Sequence, residues 1–176
     1  MTSTASMIGL AIGITVGLII CIFVFRYMNK DKKMVTKYDE MQDIVRGRAY
    51  KYSFWVLLIL IAILACLDLG GIDLPMERLV LYFMLIFISV LVQTGYCIWN
   101  DAYIGINTNV KRFVIVAVVI SAINLLSACM AIKTGNMVVD GKLSTPFINF
   151  LCAVLFLIVG IEIVVKNAID KRSAED

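Results

Sequence analysis

Five stretches of about twenty residues, almost free of charge, constrain this chain more than any other feature: 7–25, 52–71, 79–99, 113–132 and 146–165. A bilayer core is roughly 30 Å thick and a helix rises about 1.5 Å per residue, so each stretch is long enough to cross once. Together they occupy most of the 176 residues, leaving too little chain for a separate soluble domain. The expectation is one all-α, polytopic membrane domain over 1–176 with five transmembrane helices.

Composition narrows the chemistry. With 61% hydrophobic and 16% charged residues, the chain has too little polar surface to cover a water-soluble fold. It contains no histidine, which excludes Ser-His and Cys-His catalysis, histidine-ligated haem and most zinc sites within the chain. Neither paired aspartates nor a metal motif of the kind intramembrane proteases need is present. No enzymatic activity, no cofactor, no metal and no nucleic-acid partner is therefore expected. The cysteines Cys21, Cys66, Cys97, Cys129 and Cys152 fall one per stretch without C-x-x-C spacing, and read as buried thiols packing like small apolar residues. A Cys129–Cys152 disulfide near the outer helix ends is the alternative.

Basic residues set the orientation. Of the 16 Lys and Arg, 8 lie between the first two stretches, then come Arg78, the pair Lys111 and Arg112, the pair Lys133 and Lys142, and finally Lys166, Lys171 and Arg172. Five crossings put the first and third connections and the C-terminus on one side, which the positive-inside rule makes cytoplasmic, with the N-terminus outside. The first stretch lacks a basic n-region and is followed by Arg26 and a lysine-rich run, so it reads as a retained helix and not as a cleaved leader.

Turn signals punctuate the connections. Gly70 and Gly71 close helix two, and Asp73 is expected to cap helix three, with Pro75 and Glu77 in its first turn. Gly135 reads as the close of helix four, Asp140-Gly141 as a small hairpin turn between Val138-Val139 and Lys142-Leu143, and Pro146 as the first residue of helix five.

Three features carry candidate function. Gly9, Gly13 and Gly17 form a doubled G-x-x-x-G, a helix-packing face for this protein's own helices, for a homodimer or for another protein's helix. In the cytoplasmic connection, Met34, Tyr38, Met41, Ile44, Val45, Arg48, Ala49 and Tyr52 recur at three-to-four spacing, predicting an amphipathic helix over about 33–51 that leads into helix two, with Gly47 as a weak point. Its polar side, Asp39, Glu40 and Asp43 and then Arg46 and Arg48, is a candidate docking surface or a face held on anionic lipid, and the three acids are also weighed as a divalent-cation site. Asp101 is expected to pair with Arg46 or Arg48 and lock this helix to the base of helix three, or else simply to start the turn there. Third come the polar residues within the spans. Gln93 and Asn124 are expected to bond to neighbouring helices. Glu162, roughly 24 Å along the axis from Pro146, is expected near the cytoplasmic boundary, paired with Lys166.

The same connection carries a family resemblance. Tyr38-Asp39-Glu40-Met41-Gln42, Arg46-Gly47-Arg48-Ala49, and Tyr52 with Phe54 resemble the Y-D-E-R-Q, R-G-K-A, Y-x-F pattern of uncharacterised small multi-pass membrane proteins of Gram-positive bacteria. Asn100-Asp101-Ala102-Tyr103-Ile104-Gly105 is similar to the K-D-A-Y-x-G stretch of the same group, with Met41 and Asn100 standing where the pattern has a basic residue. The resemblance implies a bacterial plasma membrane and a multi-pass helical fold, and brings no activity or site. The sequence thus points to an interaction or accessory subunit of a larger membrane system, partnered by lipid and by another membrane protein or a second copy. The alternative is a small transport or ligand-binding subunit.

Overall fold

The capping chemistry of the segment before the second apolar stretch decides where the helices begin. In a computed structural model, which describes residues 37–105 and 109–173 together with the helical residues Thr15, Ile19 and Ile22, Asp39 is extended and its carboxylate accepts the Gln42 N–H at 2.6 Å. The Gln42 side-chain oxygen accepts the Asp39 N–H at 3.3 Å in return, completing a capping box. Helix α1, Glu40–Leu69, therefore starts later than the expected residue 33, and it runs through Gly47 into the apolar stretch without interruption. Linker helix and span are one rod about 45 Å long. The stretch at 7–25, with Gly9, Gly13 and Gly17, lies outside the described residues apart from the three just named.

Three more helices follow: α2 (Arg78–Trp99), α3 (Val110–Lys133) and α4 (Phe147–Ser173), with a two-stranded hairpin, β1 (Val138–Val139) and β2 (Lys142–Leu143), before α4. All four helices are long and apolar enough to cross a membrane, which is compatible with a multi-pass, all-α membrane protein. Helices α1, α2 and α3 each close with paired hydrogen bonds around a residue of positive φ: Gly71 at 69°, Asp101 at 56° and Gly135 at 71°. The hairpin turn uses Asp140 and Gly141, φ 50° and 75°, the signs a type I′ turn requires.

The connection from α1 to α2 departs from expectation. Asp73 caps no helix; it pairs with Lys142 of the hairpin at 2.6 Å. Pro75 precedes α2 and its carbonyl accepts the Leu143 N–H at 2.9 Å. Glu77, at the N-cap position, makes no side-chain cap; its carboxylate accepts the Thr145 N–H and O–H at 3.0 and 2.9 Å. The unpaired edge of the hairpin offers backbone groups that this connection satisfies, so its polar side chains are drawn across to the hairpin. Pro146 sits one residue before α4.

From Tyr38 onward the helices form a row in which α1 packs on α2, α2 on α4, and α4 on α3. Sequential neighbours are antiparallel. Helices α2 and α4 run parallel, joined by Glu77 and Thr145 at the hairpin end and by Asp101 and Lys166 at the other, which holds residues 100–105 and is called the loop end below. Small and hydroxyl residues mark the contacts. Ser89 Oγ donates to the Ser53 carbonyl and Ser121 Oγ to the Ala153 carbonyl, each at 2.9 Å, tying α2 to α1 and α3 to α4. Asn124 instead donates to Ile120 of its own helix at 2.9 Å, and half-buried Gln93 makes no interhelical hydrogen bond among the described residues. A serine hydroxyl lies close enough to its own backbone to bond across a tight helix contact. Among the described cysteines only Cys97 is buried: Cys66 and Cys129 are exposed, Cys152 is half-buried, and all four are free, so Cys129 and Cys152 form no disulfide.

The Lys142 ammonium hydrogen-bonded to Asp73 holds that carboxyl below the usual carboxylate range. A lowered folded-state pKa means that the contact stabilises fully above the ordinary value of about 3.9 and fades as pH falls below it. Protection of the Val139 amide, taken relative to its intrinsic exchange rate at each pH, should therefore fall on acidification through that range, and the Asp73→Asn protein should lose this pH dependence.

Candidate functional site

The described residues converge most at the loop end, where the turn after α2 meets the first turns of α1 and the last turns of α4. Ala102 and Ala49, both 0% exposed, pack with Cys97, so small side chains meet where α1, α2 and the turn come together. Asp101 is a non-glycine residue in the left-handed region, where Asp and Asn are among the few side chains tolerated. Its backbone carbonyl accepts from Gln42 Nε2 at 2.6 Å, and the same amide nitrogen reaches the Ile104 carbonyl at 3.3 Å. Its carboxylate takes Lys166 of α4 at 3.0 Å, and Lys166 also holds Asp170 at 2.6 Å. One residue thus joins α1, α2 and α4.

The two segments that carry the sequence resemblance meet here, through groups other than those expected. Asp101 pairs with neither Arg46 nor Arg48. The Arg46 guanidinium lies 3.7 Å above the Tyr38 ring, and Arg48 is exposed. The Tyr38 hydroxyl points at the Tyr103 carbonyl at 3.5 Å, while the Tyr103 ring stands edge-on to Phe113 with centroids 5.2 Å apart. Burial pushes the Tyr103 phenol above its ordinary pKa. Asp39 is engaged as the cap, and Glu40 and Asp43 occupy the first turn of α1, where carboxylates complement the helix dipole. Among the described residues no group of three acidic or cysteine side chains is placed to share a metal ion.

Glu162 does not pair with Lys166, which Asp101 and Asp170 occupy. Its carboxylate lies instead over Gly95 of α2: a Cβ at Gly95 would stand 3.5 Å from both oxygens, and Glu162 Oε2 is buried without a hydrogen-bond partner. The glycine makes room for the carboxyl group between the helices.

Two openings flank this junction. A cleft of about 290 Å³ is rimmed by Asp101, Lys166, Asn167 and Asp170 over a floor that includes Ile98 and Ile163. A second, apolar groove of about 340 Å³ shares Val110 and Asn167 with it and continues past Lys111 to Val114, Ile115 and Val164 between α3 and α4.

Sequence reasoning missed Gln42, Lys166 and Asp170 as junction residues. Gln42 stands three residues after Asp39, the capping-box spacing, and Lys166 and Asp170 are four apart on one helix face, so both local signals were present. Their contacts with the 101–105 turn are long-range and carry no periodic signature. The chain matches no family model, no curated protein and no solved structure.

Two substitutions test the junction. Gln42→Glu keeps the side-chain acceptor of the capping box and removes both donors to the turn, so it should leave the start of α1 helical while costing about 1–3 kcal/mol at the junction, read as faster amide exchange over residues 101–105. Gly95→Leu should destabilise the bundle, and Glu162→Ala should relieve much of that loss in a double-mutant cycle; additive effects would show that the two positions do not share one space.

Proposed function

We propose that this chain is a non-enzymatic accessory subunit of a larger system in a bacterial plasma membrane, docking to a partner protein through the first turns of α1. One observation carries the reading. Gln42, Val45 and Ala49 pin one side of this segment to the bundle, while Met41 and Ile44, 70% and 51% exposed, stand beside Arg48 on an outward side. Large apolar side chains among exposed charges, on a helix whose other side is packed on the bundle, suit a docking surface because the backbone that presents them is already ordered.

The position of the segment supports the same reading. Tyr52 and Tyr96 meet edge-on with centroids 5.1 Å apart, and Trp55 and Trp99 lie near them, the residue types that gather at a bilayer boundary. Residues 40–51 then extend about 18 Å beyond that level. Lys37, Arg46, Arg48, Lys51, Lys111, Lys166, Lys171 and Arg172 belong to the loop end, against Arg78, Lys133 and Lys142 at the hairpin end. That asymmetry favours a cytoplasmic loop end, a five-span chain with its N-terminus outside, and contact with anionic lipid.

Photo-crosslinking residues placed at 41 and 44 in the native membrane should capture one protein species that a probe at Ile61 does not, and Ile44→Asp should release that species during mild-detergent purification. Capture of lipid alone at 41 and 44 would sink the docking role.

A further inference from the structure

The cleft and the groove at the loop end form one continuous surface whose chemistry changes along its length. At the cleft, Lys166 is enclosed by Asp101 and Asp170, its side chain only 17% exposed, whereas the two aspartate side chains are 71% and 47% exposed. Among the described rim residues one ammonium is enclosed and two carboxylates are exposed, so these residues together carry more negative than positive charge and leave spare acceptors. The rim favours a cation with N–H donors. Beyond the shared residues Val110 and Asn167, Lys111 supplies an exposed positive charge at the edge of the groove. Past Lys111 the walls are Val114, Ile115 and Val164. Acidic rim, lysine and apolar channel follow one another in the order ammonium, phosphate, acyl chain.

We propose that cleft and groove together bind one phospholipid whose head group carries a primary ammonium beside its phosphate. The ammonium lies against Asp101 and Asp170, the phosphate against Lys111, and an acyl chain runs between α3 and α4. The apolar groove makes the ligand a lipid and not a soluble amine, because a free head group would leave that channel empty. The site involves none of Met41, Ile44 or Arg48, so it stands apart from the docking surface proposed above.

The test is native mass spectrometry of the full chain released from micelles containing equal phosphatidylethanolamine, phosphatidylglycerol and phosphatidylcholine with matched acyl chains. The wild-type protein should retain the ethanolamine lipid roughly tenfold over the glycerol lipid, the scale of one charge-assisted hydrogen-bond set, and over the choline lipid, whose quaternary nitrogen has no N–H. Asp170→Asn, an exposed change near the end of α4, should reduce that preference. Asp101→Asn, which keeps a side chain tolerated at positive φ, should reduce it further when combined with Asp170→Asn. Lys111→Gln should lower retention of all three phosphate-bearing lipids alike. Equal retention of the three lipids by the wild type, preference for the glycerol lipid, or an undiminished ethanolamine preference in the folded double variant would overturn the proposal. Displacement of the lipid by millimolar phosphoethanolamine would overturn its acyl-chain part, since the head group alone would then account for binding.

Discussion

The left-handed backbone at Asp101 is the constraint on which the loop end depends. By reversing the chain immediately after α2, it directs the residue's carbonyl to Gln42 of α1 and its carboxylate to Lys166 of α4. A residue that continued the helix would present these two groups to neither neighbour. Ala102, next in the chain, then drops against Ala49 and Cys97, where any larger side chain would hold α1 and α2 apart. The first turns of α1 are held against the bundle through this turn.

The opposite end is closed by different physics. There the backbone of the α1–α2 connection pairs with the hairpin, through Leu143 to Pro75 and Glu77 to Leu143, and side chains reinforce it from Asp73 and Glu77. Backbone pairing sets distance and register with little dependence on side-chain identity, whereas the loop end relies on particular side chains. Charged side chains collect at the loop end, and the hairpin end holds α2 and α4 parallel.

Between the ends, polar groups are few and short. Ser53, Ser89 and Ser121 join helices where backbones come close, and Gly160 allows α4 to approach Ala117 of α3, its missing Cβ only 3.7 Å from that methyl group. Glu162 over Gly95 is the exception, a carboxyl group placed between helices with one oxygen unpartnered. A buried carboxyl oxygen without a hydrogen-bond partner is costly to keep, and the glycine opposite it reads as an accommodation to that side chain.

The four apolar stretches from residue 52 onward, the hairpin at Asp140-Gly141 and the helix close at Gly135 were legible because each rests on local rules: hydrocarbon-length runs, and backbone conformations that glycine and aspartate tolerate. The start of α1 was misplaced by several residues because periodicity runs past Asp39, while the cap that ends it depends on one hydrogen-bond pair. Partner choice was illegible. Whether Asp101 meets an arginine of α1 or Lys166, and whether Glu162 meets Lys166 or lies over Gly95, turns on which helices are neighbours in the row. Sequence by itself determined a membrane-compatible helical chain with its charge concentrated toward one end, because burial in hydrocarbon acts residue by residue. Only the tertiary structure decided which charged groups became internal clasps and which stayed outward, because that depends on α2 lying beside α4, a contact that pairs Asp101 with Lys166, 65 residues further along the chain.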